Sequence, residues 1–147
     1  SFTVLTIDAR EDVGICKTFY VPKHLKHKHI NTVKCAIFDF LAGKNDITNR
    51  FYMYSSSMDE KQDTALAIYK DCKDEQAKEY VKKYAVSMLE RYIETERYDD
   101  FIDFINLDIL SSARLKSILQ ITEDAPVLAA CVLDKLKTKD NSKKFVI

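Results

Sequence analysis

The feature that most constrains this chain is an apolar stripe between Ala77 and Ile93. Successive members are alternately three positions and one position apart, as one face of a helix with 3.6 residues per turn requires. Lysine, glutamate and arginine occupy the other face, at Lys78, Glu79, Lys82, Lys83, Glu90 and Arg91. The pattern predicts one unbroken, half-buried helix that forms the spine of the fold. Its apolar members are Ala77, Tyr80, Val81, Tyr84, Ala85, Met88, Leu89, Tyr92 and Ile93.

Glycine and proline are scarce, with two of each in 147 residues. Tight turns and phosphate-cradling loops need glycine, so an all-β fold and a nucleotide-loop enzyme are both disfavoured. Apolar residues make up 46% of the chain and charged residues 31%, which is typical of a globular domain. We therefore interpret residues 1–147 as a single domain rich in helix.

The N-terminal part carries the only strong strand signals. Phe2–Ile7 and Ile15–Val21 are rich in β-branched and aromatic residues, which predicts two strands that pair antiparallel. A helix is expected after them, opened by Pro22 and ended near Gly43. Phe51–Tyr54 fits either a third strand or a turn that packs on the core.

The rest of the sequence, after Tyr54, predicts consecutive short helices. Neighbouring helices are expected to be antiparallel because the connections between them are short. Ser57 or Asp59 caps a helix that runs through Tyr69, and Ser111 or Ser112 caps a later one. The predicted fold class is mainly α (α+β), a small N-terminal β element followed by a cluster of antiparallel helices. Residues 1–57 would hold the strands and one helix, 58–137 the helical cluster, and 138–147 a polar, frayed tail. Further helices are expected around Tyr98–Ile109 and from Pro126, with Leu128, Cys131, Val132 and Leu136 inward.

The charge balance and the cysteine spacing limit which binding partners and which cellular compartment are expected. Twenty-three basic and 23 acidic residues balance, whereas a dedicated nucleic-acid binder shows a basic excess. The four cysteines are widely spaced, without a Cys-x-x-Cys motif, which favours reduced thiols. With no signal peptide and no apolar run near 20 residues, we predict a cytoplasmic or nuclear protein that does not bind membranes.

All three histidines lie in a lysine-rich stretch, residues 23–34, which we call the basic segment. A solvated helix face is the common explanation for such a charge run. The functional alternative is that it binds nucleic acid or an acidic partner, more strongly at lower pH. Its candidate binding residues are Lys23, His24, Lys26, His27, Lys28 and His29.

The same segment suggests zinc as a second alternative. On a helix, His24 and His27 would share a face, and Cys16 or Cys35 could complete the site. The interleaved lysines oppose a cation, so no metal ligand is predicted. Cys35 and Cys131 fall on apolar faces and are expected in the core.

Motifs for catalysis are missing from the sequence. Ser55, Ser56 and Ser57 lack the Gly-x-Ser-x-Gly elbow of serine hydrolases, and there is no glycine-rich phosphate loop. We therefore predict no catalytic residue, no cofactor and no enzymatic activity. Tyrosine is a better candidate for binding, because its large apolar body and its hydroxyl suit both a core and an interface. The candidates are Tyr80, Tyr84 and Tyr92.

With the elements placed in order, the chain resembles the BTB/POZ domain family. Phe19 with Lys23 and Leu25 is similar to the family's passage from strand to helix, and Lys83-Tyr84-Ala85-Val86 with Leu89 to its late helix. Asp108–Lys116 followed by Cys131–Leu133 resembles the next helical pair, or the associated BACK extension. Pro22 replaces the family's usual histidine.

The resemblance implies a small sheet beside helical hairpins and a non-enzymatic protein–protein interaction module. Such a module would be an intracellular adaptor or scaffold that could self-associate as a homo-oligomer. A hydrophobic-x-Glu triplet, Met58-Asp59-Glu60, could link it to a cullin ubiquitin ligase, although it follows the third candidate strand instead of preceding it.

Overall fold

The structure is a computed structural model that describes residues 2–9, 15–42 and 51–144. These form a two-stranded sheet and seven α-helices, which confirms a mainly α fold with a small N-terminal β element. None of the described helices is both long enough and apolar enough to cross a membrane. The elements are β1 (Phe2–Ala9), β2 (Ile15–Pro22), α1 (Ile30–Leu41), α2 (Met58–Cys72), α3 (Glu75–Lys83), α4 (Ala85–Glu94), α5 (Tyr98–Ile105), α6 (Ser112–Ile121) and α7 (Pro126–Lys144).

The chain divides into two compact units, residues 1–81 and residues 82–147. The interpretation of residues 1–147 as one domain stays a prediction. In the first unit, β1 and β2 pair antiparallel from Phe2 opposite Pro22 to Ala9 opposite Ile15. The predicted strand pair is confirmed.

Aromatic packing builds the core of the first unit. The ring of Phe19, fully buried on β2, lies 5.6 Å from that of Phe40 on α1 and 5.8 Å from that of Phe51. Phe51–Tyr54 forms a 3₁₀ turn with its first two residues buried, so the turn packed on the core is the correct alternative. Three separate segments are thus held together by a few large rings.

The helix predicted to open at Pro22 begins later. Pro22 is the last residue of β2, and α1 starts at Ile30 after a 3₁₀ turn over His27–His29. The cause is the extended backbone of Lys26 (φ −61°, ψ 134°), whose N–H donates to the carbonyl of Tyr54 at 2.9 Å. Gly43, the expected end of this helix, lies outside the described residues.

Helix α2 has the predicted start and inward face. Ser57 caps it by accepting a hydrogen bond from the N–H of Glu60 at 3.4 Å. The helix ends when Lys73 adopts a left-handed conformation with φ 55°. The apolar pattern of this helix in the sequence predicts that Ala65, Leu66, Ile68 and Tyr69 point inward, and all four are buried.

The phenol of Tyr20 on β2 interacts with Asp71 near the end of α2. Burial, a hydrogen bond with Asp71 and the negative charge of Asp71 raise the pKa of Tyr20 to about 12. The folded chain therefore favours the neutral phenol. This stabilisation is present below the ordinary tyrosine pKa of 10 and is lost as pH rises through about 12. Ultraviolet titration should show a late-ionising tyrosine that is missing in Tyr20→Phe, and its persistence in that variant would contradict the assignment.

The predicted spine is two helices, not one. Helix α3 ends at Lys83, and Tyr84 (φ −102°, ψ 15°) turns the backbone off the helical path before α4 begins at Ala85. Tyr84 becomes the N-cap residue of α4, and its carbonyl accepts from the N–H of Met88 at 2.9 Å. The prediction of an unbroken helix is wrong, but the stripe remains inward on both helices. Its buried members are Ala77, Val81, Ala85, Met88, Leu89 and Tyr92.

The second unit is a helical cluster in which α4 packs on α5 and α6, and α7 packs on the same two helices. The interior is apolar. Ser111 caps α6 by accepting from the N–H of Arg114 at 3.2 Å, as predicted. Helix α5 ends at Ile105, and α7 continues to Lys144, so the frayed tail predicted from residue 138 is wrong over that range. Fully buried side chains include Phe101, Phe104, Leu115, Ile118, Leu128 and Val132.

Candidate functional site

The basic segment is attached to the first unit by one buried carboxylate, that of Glu60. Its Oε1 accepts from the backbone N–H of His24 at 2.9 Å and from the hydroxyl of Ser55 at 2.8 Å. Its Oε2 lies 2.9 Å from Nδ1 of His24. Glu60 is only 2% exposed, and a buried ionised carboxylate needs such partners. The two contacts with His24 join residues that are 36 positions apart in sequence, whereas Ser55 lies five positions before Glu60.

Backbone hydrogen bonds continue this attachment on either side of His24. The carbonyl of His24 accepts from the N–H of Ser56 at 2.7 Å and from its hydroxyl at 2.9 Å. Leu25 forms an antiparallel bridge with Ser55, and the next residue, Lys26, donates to Tyr54. The start of the basic segment is therefore laid along the turn that precedes α2.

Local sequence explains why Glu60 is available for this role. Ser57 and Glu60 have the Ser-x-x-Glu spacing of a capping box, in which the glutamate would return to the N–H of the serine. Here the N–H of Ser57 donates instead to Oγ of Ser55 at 3.0 Å. The Glu60 side chain is thereby free to bind His24, and the start of the helix becomes an anchor for a distant segment.

Electrostatics favour an ionised Glu60. Burial raises the pKa of this carboxyl, but the hydrogen bonds from the His24 backbone, the His24 ring and Ser55 outweigh it and hold the pKa below its ordinary value. An ionised carboxylate only accepts, so Nδ1 of His24 must carry the proton it donates. With 64% of the His24 side chain exposed, the other edge of the ring is left to solvent.

This group resembles the parts of a catalytic triad but is not arranged as one. Ser55 donates to one oxygen of Glu60 while His24 meets the other, so the carboxylate lies between the serine and the imidazole. In a triad the imidazole lies between the other two groups. Ser55 is also fully buried, which keeps its hydroxyl from a substrate. The arrangement fixes the chain to itself.

The Glu60 contacts should make stability depend on acid pH. Because the folded pKa lies below the ordinary value of 4.5, the stabilisation is complete above that value and is lost as pH falls through the folded pKa. Glu60→Gln retains the Oε1 acceptor but cannot titrate. In urea unfolding, the difference in the free energy of unfolding between Glu60→Gln and wild type should shrink as pH is lowered. A difference that stays constant down to the acid transition would contradict this account.

The predicted binding residues of the basic segment are mostly exposed, namely Lys23, His24, Lys26, His27 and Lys28. His29 differs, because its ring stacks on Tyr54 with centroids 4.3 Å apart and 21° between the planes. Partial burial, followed by the charges of Lys28 and Lys26, lowers the pKa of His29. The structure therefore places the lysines in solvent and uses one histidine for packing.

The three candidate tyrosines have separate roles. Tyr92 is 1% exposed, with the guanidinium of Arg97 4.6 Å from its ring centre, so its side chain belongs to the core and is not accessible to a partner. Tyr80 is half-buried, 5.3 Å from the ring of Tyr52, and its hydroxyl meets the sulfur of Met58. Tyr84 is half-buried at the break between α3 and α4. Only the last two keep an exposed part.

The geometry proposed for zinc is not formed. His24 and His27 do not share a helix, since His24 precedes the 3₁₀ turn. Among the side chains that the structure describes, no group of three histidine, cysteine or acidic residues is placed to hold a metal ion. Cys35 is exposed, so the expected core position was wrong, whereas Cys131 is half-buried and burial raises the pKa of its thiol.

Helix α1, which follows the basic segment, exposes apolar residues on its outer side. Phe38 is 67% exposed and Leu41 is 47% exposed. They share a face with Lys34, four and seven positions earlier, while Val33 and Phe40 are buried on the other side. A helix with large apolar residues on both sides usually has both sides covered by other protein surface.

Comparisons of the chain with protein-family models, with curated proteins and with solved structures gave no match. The site therefore has to be interpreted from its own geometry. Sequence reasoning found the basic segment but missed Glu60 and Ser55 as its anchor. The Ser-x-x-Glu spacing was a usable signal for the start of α2, but nothing local indicated that the glutamate would bind His24.

Proposed function

We propose that this chain is a non-enzymatic protein–protein interaction module, an adaptor or scaffold within the cell. One observation carries the proposal. Helix α1 buries one side in the first unit and exposes Phe38 and Leu41 on the other. Exposed apolar groups that lie together on one helix face are typical of a surface that another protein covers.

The arrangement around Glu60 supports the same function. A serine, a histidine and a carboxylate together fix the segment next to α1 through hydrogen bonds to one another. A surface held in one conformation loses less entropy when it binds a partner. The resemblance of the sequence to the BTB/POZ family would add self-association and a cullin link to the proposal.

Affinity capture with mass spectrometry tests the proposal. The chain, its Phe38→Asp variant and a Val127→Asp control would each be used as bait in cell extract. Val127 lies on α7 and is 73% exposed, so both substitutions place a charge at a well-exposed site on a helix. We expect partners retained by wild type and control but lost with Phe38→Asp. Identical recoveries from all three baits, together with a strict monomer in light scattering at high concentration, would contradict the proposal.

A second candidate is that the basic segment binds nucleic acid. Residues 13–38 contain five lysines, three histidines and no acidic residue, and the lysines at 23, 26, 28 and 34 are exposed. Replacing Lys23, Lys26 and Lys28 by alanine should weaken such binding and reduce its salt dependence. Binding that is indifferent to salt would exclude this function.

A further inference from the structure

We infer that the basic segment and the outer face of α1 form one docking surface for an acidic, amphipathic segment of another protein. The inference rests on the proposed function and specifies the chemistry of the partner. Its basis is the combination of positive charge and exposed apolar side chains on adjoining parts of the chain.

The exposed charged side chains of this surface are lysines. The chain as a whole is neutral, yet residues 23–38 hold four lysines without an aspartate or glutamate, and Asp39, the next residue on α1, is half-buried. Lys26 and Lys28 are exposed immediately before α1, and the N-terminus of that helix adds the positive end of its dipole. A partner that places carboxylates here gains attraction and faster association.

The apolar part follows along the helix. Lys34, Phe38 and Leu41 lie on one face, and seven residues of helix span roughly 10 Å. Exposed phenylalanine and leucine gain most from a partner with apolar side chains of its own. The matching segment therefore has acidic residues near one end and large apolar residues about one to two helical turns away, as an amphipathic helix can supply.

This combination favours a protein over nucleic acid and over a second copy of the chain. Phosphates would satisfy the lysines and one base could stack on the Phe38 ring, but the exposed aliphatic side chain of Leu41 beside it would gain little from a nucleic acid. A symmetric dimer through this face would bring two equally basic surfaces together, and the like charges would oppose the association. An acidic, amphipathic partner satisfies both the charged and the apolar residues.

The anchor at Glu60 positions the charged part of this surface. The backbone N–H and carbonyl of His24 are both hydrogen-bonded, and Lys26 is held through its own N–H. The lysine side chains thus project from a backbone fixed in position, next to a helix that is itself fixed by Phe40 and Val33. Glu60 acts as a positioning residue and does not contact the partner.

The test is a selection of random peptides displayed on phage against the immobilised full chain. Enriched peptides should combine aspartate or glutamate with large apolar residues at helical spacing. Their affinity, measured by fluorescence anisotropy, should fall at least about tenfold with Phe38→Ser and also with Lys26→Glu plus Lys28→Glu. Matched controls are Val127→Ser and Lys116→Glu plus Lys137→Glu, which change exposed positions elsewhere and should leave affinity unchanged.

Several results would overturn the inference. These are enrichment of neutral or basic peptides, failure to enrich any peptide, and peptides that bind Phe38→Ser as well as wild type. Tighter binding of single-stranded DNA or of anionic lipid vesicles at the same lysines would assign the surface to those ligands. Loss of self-association in Phe38→Ser would assign it to a second copy. If extract partners still depend on Phe38 while no acidic peptide is selected, the proposed function stands and this inference alone fails.

Discussion

Leu89→Ala is expected to lower the free energy of unfolding by about 2–5 kcal/mol, the range for truncating a buried leucine. Leu89 has no exposed surface, and α4 packs on both α5 and α6, so the vacated space has well-ordered neighbours on two sides. The variant loses the transfer free energy of the removed carbons and also leaves a cavity. Urea unfolding followed by circular dichroism gives the change directly.

Glu90→Ala is the matched control for this substitution. Glu90 is the next residue on α4 and is exposed, so its truncation should change stability by less than about 0.5 kcal/mol. A melting curve for Leu89→Ala that equals wild type would contradict the account. It would show that this side of α4 faces a partner or solvent instead of the core.

Glu60→Ala has the second large expected effect, a loss of about 2–4 kcal/mol. Removing the carboxylate leaves the N–H of His24 without its acceptor, at about 1–3 kcal/mol for a group left unsatisfied. It also removes a hydrogen bond of the buried Ser55 hydroxyl, at about 1 kcal/mol, although the carbonyl of Ser57 at 3.1 Å remains as an acceptor. Hydrogen exchange at His24 and Lys26 should accelerate together, because both lie in the segment that this contact fixes. Phe38 is exposed on α1 and its environment should change little.

Asp59→Ala separates the role of Glu60 from a general loss of negative charge. Asp59 precedes it in the first turn of α2 but is exposed, so its removal should cost only about 0.3–1 kcal/mol through the helix dipole. Equal losses for the two alanine variants would mean that the hydrogen bonds to His24 and Ser55 contribute nothing. Independently of that comparison, a double-mutant cycle of Glu60→Ala with Ser55→Ala measures the coupling free energy that is expected between these two side chains.

The parts of the fold that depend on neighbouring residues could be predicted from sequence. The strand pair follows from β-branched runs, and the caps Ser57 and Ser111 follow from short polar signals before apolar repeats. The inward face of the stripe was also predicted, because periodicity depends only on which residues are apolar. Its division at Tyr84 was not, since each half keeps the same apolar spacing.

The parts that depend on distant residues could not be predicted. The start of α1 is delayed because Lys26 donates to Tyr54, a contact that no local pattern encodes. The same holds for Glu60, which sequence placed at the start of a helix and which the fold brings to His24. Cys35 was expected in the core, whereas the packing of α1 on Phe19 and Phe51 turns this residue outward.

The central claim is that the outer face of α1 contacts another protein. A photo-cross-linking amino acid placed at position 38, with a second variant carrying it at position 127, tests this contact at the level of one residue. The account predicts that irradiation of cells joins the chain to a distinct protein from position 38 and not from position 127. Cross-linked products that are the same from both positions, or that appear from neither, would contradict it.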